Sequence, residues 1–467
     1  MKIFIRRFGP LASFEFDLSK DIIVTYGDNN IGKSYAMQIV YLLLKNLNDY
    51  IDPNSFFDGH YRFGYRRHIG TPDMIDMIRT KVSAFAETTQ DKTDLTKTIN
   101  SCIQFELGES LVSGFLKSCR NTFGNFNGIL KQKPQIVLTI GELTIEFHLA
   151  DKNSMQSKIY DYPTFLCRAS SDFHKSRNVN GHLYIYYYNN IETTVSTITD
   201  TINERMTRLF TELSAQIGNV FFLPASRSGI YSGMSAFSSV IAELSKSRAL
   251  LTRKIELPGI SEPISDYFLL LSNISNTQPH SRGALSDICK AMEESILKGK
   301  IGIKKDGSTL VYTPADVGHE FEMTEVSSMV SEISPIVAFL KYIVSVPGDD
   351  RRPDTKPIIF IEEPEAHLHP RNQILLISLL SRLPELGVKI VISSHSNYIF
   401  NKLNNLLLEK TVTPQIYSPI LLKAENGGSV SVYMNIDELG VEDTNFLDPA
   451  EQLYHERERL IEEWRPL

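Results

Sequence analysis

Several things are scarce in this chain. Cysteine occurs four times, at Cys102, Cys119, Cys167 and Cys289, with no paired spacing. That excludes a disulfide-built fold and a cysteine zinc site, and fits packing thiols in a reducing cytosol. No apolar run approaches the length of a membrane span, so no spanning helix and a cytoplasmic location are expected. The opening segment MKIFIRRFGPLASFEFDLSK alternates and carries charge throughout, without the apolar core of a signal peptide. A basic excess is missing too: 48 Lys and Arg stand against 55 Asp and Glu, a net charge of -7. Contact with nucleic acid would therefore need a local patch. Internal repeats and low-complexity tracts are absent from the sequence. What remains is an ordinary balance, 42% hydrophobic over 467 residues. It can bury a substantial core in more than one compact unit, or in one domain with a large insertion.

The stretch YGDNNIGKSY, residues 26–35, fills the pattern G-x-x-x-x-G-K-[ST] with Gly27, Gly32, Lys33 and Ser34. A phosphate-holding loop needs a buried strand to aim it and a helix whose N-terminal amides face the anion. DIIVTYG (21–27) reads as that strand, and SYAMQIVYLLLKNL, free of Gly and Pro, as that helix. Gly27 and Gly32 allow the tight backbone path, with Asn29 and Asn30 between them. Lys33 brings a point charge to the outer phosphates of ATP, and the Ser34 hydroxyl completes a Mg²⁺ shell.

Such a site needs carboxylates at the end of a neighbouring strand, and KPIIFIEEPEAHLHP (356–370) supplies them. Ile358 to Ile361 form a strand buried on both faces, followed at once by Glu362 and Glu363. Glu362 is expected to hold Mg²⁺ and Glu363 to polarise the attacking water. A third apolar strand, VKIVISSHS (388–396), ends at His395. That histidine either senses the outer phosphate or caps the strand in solvent.

The segments GDNNIGKS, IFIEEPEAHLHP and VISSHSNYIF, in this order, resemble the Walker A, Walker B with D-loop, and H-loop of ABC-type ATPases. The likeness is to the SMC, RecF and OLD branch, and it extends to IFIRRFGPLASFEFDLSKDIIVTYGDNN and to FFLPASRSGI (221–230). It covers residues 1–50 and about 300–467. It implies an α/β fold, a P-loop NTPase with an ABC-type ATPase head interrupted by a largely helical insertion. The implied parts are a first head segment (1–50), a helical insertion (51–134), a strand-rich part of the head (135–230), a helical arm (231–299) and the rest of the head (300–467). It also implies a homodimer or higher homo-oligomer, with ATP between the loop of one copy and a signature segment of another. TEVSSMVSEISPIVAFLKYIV (324–344) fits that segment, Ser327 and Ser328 opening its helix. The family's usual glycine is replaced by Met329, whose side chain would crowd the γ-phosphate and slow turnover. Glu362 stands where many relatives carry aspartate.

The middle of the chain reads as helices over 75–130, strands over 135–149 and 182–190, and a helix around 200–216. Arg227 lies either near the nucleotide or in an internal salt bridge. HYRFGYRRHIG (60–70) interleaves Arg62, Arg66 and Arg67 with aromatics. That mixture suits nucleic acid, an acidic protein surface or plain structure. The C-terminal PAEQLYHERERLIEEWRPL forms an amphipathic helix with Leu453, Leu460, Ile461 and Trp464 on one side, which either docks on its own head, the favoured reading, or presents an anchor to a partner. No metal-binding acidic domain of the OLD nuclease kind follows His395, so an effector activity is expected from a separate chain.

The expected function is a Mg-ATP-hydrolysing sensor or switch. It resembles the stand-alone ATPases of anti-phage defence systems, such as AriA of PARIS and PtuA of Septu, with a phage-derived trigger and a separately encoded effector, a nuclease by analogy. The alternative is a RecF/SMC-like DNA repair or chromosome-maintenance ATPase that binds DNA in an ATP-dependent way.

Overall fold

Four apolar or aromatic residues and one threonine, Ile22–Tyr26, form a strand buried at every position, as a strand flanked and covered on both faces must be. The computed structural model describes residues 1–51, 72–141, 143–149, 156–160, 164–169, 176–187, 190–214, 216–231, 233, 259–274, 283–304, 309–346, 356–442 and 447–464. The patch with Arg62, Arg66 and Arg67, and residues 234–258 of the expected arm, lie outside them. The chain divides into two units, one of residues 1–9 and 42–218, the other of residues 10–41 and 219–467. The α/β class expected from the sequence holds.

In the second unit seven strands lie side by side. Their order is Val220–Leu223, Ile358–Glu362, Lys389–Ser394, Ile22–Tyr26, Tyr417–Glu425, Gly428–Tyr433 and Leu11–Asp17. The first five run parallel. Alternate residues divide between two faces. Val24, Tyr26, Ile359, Ile361, Ile390 and Ile392 belong to one apolar cluster. Phe400, from the helix Asn397–Leu408, meets the Tyr26 ring edge-on at 5.3 Å. On the other face Tyr41, from the helix Lys33–Ile51, packs on Phe222 at 5.0 Å and Phe360 at 5.9 Å. Each fully buried side chain of this kind contributes about 1.5–3 kcal/mol. Register is decisive for function: Glu362 pairs with Ser393 and Ser394 with Tyr26, so the strands end level at one edge. Loops at that edge of a parallel sheet are where ligands bind.

The first unit carries an antiparallel meander of Lys2–Phe8, Gln135–Ile140, Leu143–His148 and Gln156–Tyr160. A second sheet has the order Lys92–Asp94, Thr164–Ala169, His182–Tyr187 and Ser176–Val179. Helices Pro72–Ala86, Thr96–Glu106, Ser113–Thr122, Phe126–Lys131 and Ile191–Ser214 complete it. All four cysteines are free and buried, as packing thiols. Among the described residues no helix is long and apolar enough to cross a membrane.

The C-terminal helix, Leu447–Glu463, departs from expectation. Its apolar side is not packed on the chain: Leu453 is 68% exposed and Trp464 86%, with Leu460 and Ile461 exposed as well. The heavily charged HERERLIEE stretch keeps the helix soluble without that contact.

Candidate functional site

The loop after Tyr26 turns on backbone that only glycine adopts freely. Gly27 has φ +145°, and a Cβ there would lie 2.8 Å from the Leu422 carbonyl oxygen. Gly32 has φ +100°, with Pro10 as close as 3.1 Å to a Cβ. Asn30, at φ 62°, takes the left-handed conformation that asparagine tolerates. Asp28, Asn29 and Asn30 form the exposed crest of the loop. The helix starts at Lys33, so its first-turn amides and positive dipole point at the loop.

Lys33 is buried. Its ammonium donates to the carbonyls of Gly27 at 2.8 Å and Asp28 at 2.7 Å, and to His395 Nδ1 at 3.1 Å. Burial pulls its pKa down, while the carboxylates of Glu363, Glu365 and Asp28 oppose that. An ammonium can only donate, so Nδ1 of His395 is the acceptor and Nε2 carries the proton. Nε2 then donates to Glu363 Oε1 at 2.7 Å. That hydrogen bond, more than any other contact, holds the Glu363 carboxyl below its ordinary pKa, so it is ionised at neutral pH. Lys33, His395 and Glu363 thus form one bonded chain across the ends of three strands.

Glu362 sits one residue earlier and is quite different. It is buried, and desolvation pushes its carboxyl up to about 7, against the pull of the Ala225 amide and the Ser34 hydroxyl beside it. Its Oε2 accepts from the Ala225 amide at 3.3 Å, while Oε1 is buried with no partner. An orphaned buried carboxylate oxygen next to a serine hydroxyl suits a divalent cation, which would return Glu362 to its charged form. Mg²⁺ needs few protein ligands, since phosphate and water complete its shell.

Arg227 resolves in favour of the internal salt bridge. It is fully buried, and its guanidinium lies 3.4 Å from Glu332 Oε2. Nη1 donates to the carbonyls of Pro224 at 3.0 Å and Glu362 at 2.7 Å, and Nη2 to that of Glu363 at 3.3 Å. Burial lowers its pKa, with Glu332 the main opposing charge. Arg227 therefore fixes the backbone that carries both candidate carboxylates. Glu332 and Glu365 were not singled out from the sequence. Glu365 Oε1 accepts from Ser394 Oγ at 2.8 Å and from the His395 amide at 2.7 Å, setting the turn that aims the histidine. A lone acid within an apolar helix, as in SMVSEISPIVA, was the available signal for Glu332.

Ser327 and Ser328 do not join this cluster. They are exposed at the start of the helix Ser328–Ala338, where the Ser327 hydroxyl accepts from the Val330 amide at 3.5 Å. Met329 is partly buried and packed against the chain's own core.

Residues 1–400 match the model of a family described as AAA_15, AAA ATPase domain. No curated protein matches the chain. Among solved structures it is similar to an SmcHead bound to the C-winged helix domain of ScpA, with 9% identity over 94% of this chain and 98% of that one, at a TM-score of 0.39. It is similar also to the SMC head domain from Thermotoga maritima, at 8% identity over 93% and 98%, TM-score 0.34. A third is the Smc head domain with an extended coiled coil, bound to the C-terminal domain of ScpA derived from Pyrococcus furiosus, at 10% identity over 98% of each chain, TM-score 0.37. At such TM-scores these likenesses carry no weight for function.

Proposed function

Because the chain belongs to the AAA ATPase domain family, and is thus a nucleotide-binding ATPase, we propose that ATP is held by the loop Gly27–Ser34 and hydrolysed at Glu363. Amides around Asn29, Asn30 and Gly32 would cradle the phosphates, and Lys33 would exchange its loop carbonyls for phosphate oxygens. Ser34 and Glu362 would hold Mg²⁺, which when bound neutralises charge on the phosphates. Glu363, ionised and held at Oε1 by His395, keeps its second oxygen to take a proton from the attacking water. His395, joined to both Lys33 and Glu363, would then report the outer phosphate to the base. The single observation that carries this reading is the Lys33–His395–Glu363 chain of bonds at 3.1 and 2.7 Å.

The exposed helix start at Ser327 and Ser328 suits a phosphate held by a second copy, which favours a homodimer or higher homo-oligomer with ATP at its interface. The wider role we assign is the sensor or switch subunit of a cytoplasmic anti-phage defence complex, controlling a separately encoded effector. Its support is the sequence resemblance to AriA and PtuA. In sequence, most of the first unit falls between the phosphate loop and the carboxylate strand, the split arrangement that resemblance describes. ATP can drive such a switch only by binding one state better than the other.

Two measurements test this. Glu363→Gln should keep ATP binding and lose hydrolysis by about 10² or more; full-rate turnover would remove Glu363 as the base. Phage plating on cells carrying the native locus, intact or with Lys33→Ala, tests the role. Protection by the intact locus alone supports defence. Equal plating across a broad panel turns the reading to the RecF/SMC-like maintenance ATPase.

A further inference from the structure

We propose that the four-stranded sheet of the first unit is a binding platform for single-stranded nucleic acid. Side chains alternate between its faces. Phe165, Cys167, Leu183 and Ile185 are buried on one face. There the Arg205 guanidinium, from the helix Ile191–Ser214, lies 5.9 Å over the Phe165 ring. The other face carries Tyr184 and Tyr186, both half-buried, on a central strand.

Pairing arranges cations around these rings. Tyr186 pairs with Arg168, and Arg168 with Lys92. Tyr184 pairs with Arg177 on one side and Leu166 on the other. Paired residues share a face with Cβ atoms about 5 Å apart. Lys92, Arg168 and Arg177 are exposed, and none forms an ion pair among the described residues. The acid paired into that face, Asp94 opposite Leu166, already has one carboxylate oxygen bonded to the Thr96 amide at 2.8 Å.

A cationic face on a chain of net charge -7 runs against the overall trend, and it complements an anion. The rings decide which anion. Tyr184 and Tyr186 stand about 6.6 Å apart along the strand, each able to stack one unpaired base while flanking arginines hold phosphates. A duplex hides its base faces, and an acidic protein has none to stack.

Fluorescence anisotropy of the full chain with labelled oligothymidylate and oligouridylate of about 16 nucleotides tests this. Binding should weaken steeply between about 50 and 200 mM salt. Tyr184→Ala and Tyr186→Ala should each weaken it about five-fold or more, and Lys92→Glu with Arg168→Glu about ten-fold or more. ATP hydrolysis and the melting midpoint should stay unchanged. Should a tyrosine variant unfold, Arg168→Ala and Arg177→Ala, both at exposed positions, carry the same test. A preference for either sugar names the source and supports the platform. Equal binding by wild type and variants overturns it, as does equal binding of a blunt duplex. Displacement by polyglutamate as effective as by oligonucleotide would instead make this a site for an acidic protein.

Discussion

Glu332 is fully buried, and its carboxylate serves several donors at once. The Arg227 amide reaches it at 3.0 Å, the Ser228 amide at 3.2 Å and the Ser228 hydroxyl at 2.6 Å, with the Arg227 guanidinium at 3.4 Å. Glu332→Ala strands all of these. Breaking a buried pair by removing one partner costs about 3–5 kcal/mol, because the remaining charge has lost its counterion. Each stranded amide adds about 1–3 kcal/mol unless it relaxes. Against that, Arg227 keeps four carbonyls, including the main-chain oxygen of residue 332, which the substitution preserves. The net expectation is about 3–5 kcal/mol, a fall in melting midpoint of roughly 10 °C for a unit of this size. Glu332→Gln keeps one acceptor oxygen and should recover about half of it. Far-UV circular dichroism is the assay of choice, since the lone tryptophan, Trp464, is 86% exposed and reports little on folding. The exposed pair Arg79–Glu192 is the control, and Glu192→Ala should leave the midpoint in place. A loss below about 1 kcal/mol in Glu332→Ala would refute the view that this ion pair anchors the carboxylate loop.

Burial raises Glu362 from 4.5 to about 7, so the folded chain keeps a proton that the unfolded chain releases within that window. Folding therefore weakens as pH climbs through it, by about 1.4 kcal/mol per unit from this group. Glu362→Gln should melt like wild type near pH 4.5 and increasingly above it toward neutral pH in chelator; a pH-independent difference would contradict the shift. Gly27→Ala places a side chain on φ +145° backbone, 2.8 Å from Leu422 O. It should cost about 1–3 kcal/mol of stability and abolish nucleotide binding in a filter assay; wild-type affinity would count against the loop. Burial pushes Cys102 up to about 11 and Cys167 and Cys289 to about 12. Thiol reagents at pH 8 should therefore label them only on unfolding, and rapid labelling of the folded chain would show the burial to be wrong.

The sequence made the three strands of the site readable because each is an uninterrupted apolar run ending in a polar residue. Their neighbourhood could be inferred only from what phosphate chemistry requires. What holds them together was opaque. Arg227 and Glu332 lie 105 residues apart, and neither type announces burial, since arginine and glutamate are ordinarily exposed. Glu365 looked like one more acid in an acidic run, although its role is to grip the His395 amide. The C-terminal helix was misjudged for a related reason: an apolar stripe shows that a helix has a face to cover, not what covers it.

The strand Ile22–Tyr26 finds its two partners only at Ile390–Ser394 and Tyr417–Leu421. During synthesis at about 5–20 residues per second, roughly 20–70 s pass between the emergence of the phosphate loop and that of the first strand able to pair with it. Throughout that interval an apolar strand stands with open edges, a natural client for a chaperone. Nascent chains stopped short of these strands should therefore be unable to bind nucleotide, so a working ATPase site forms only once synthesis has passed the strand Tyr417–Glu425.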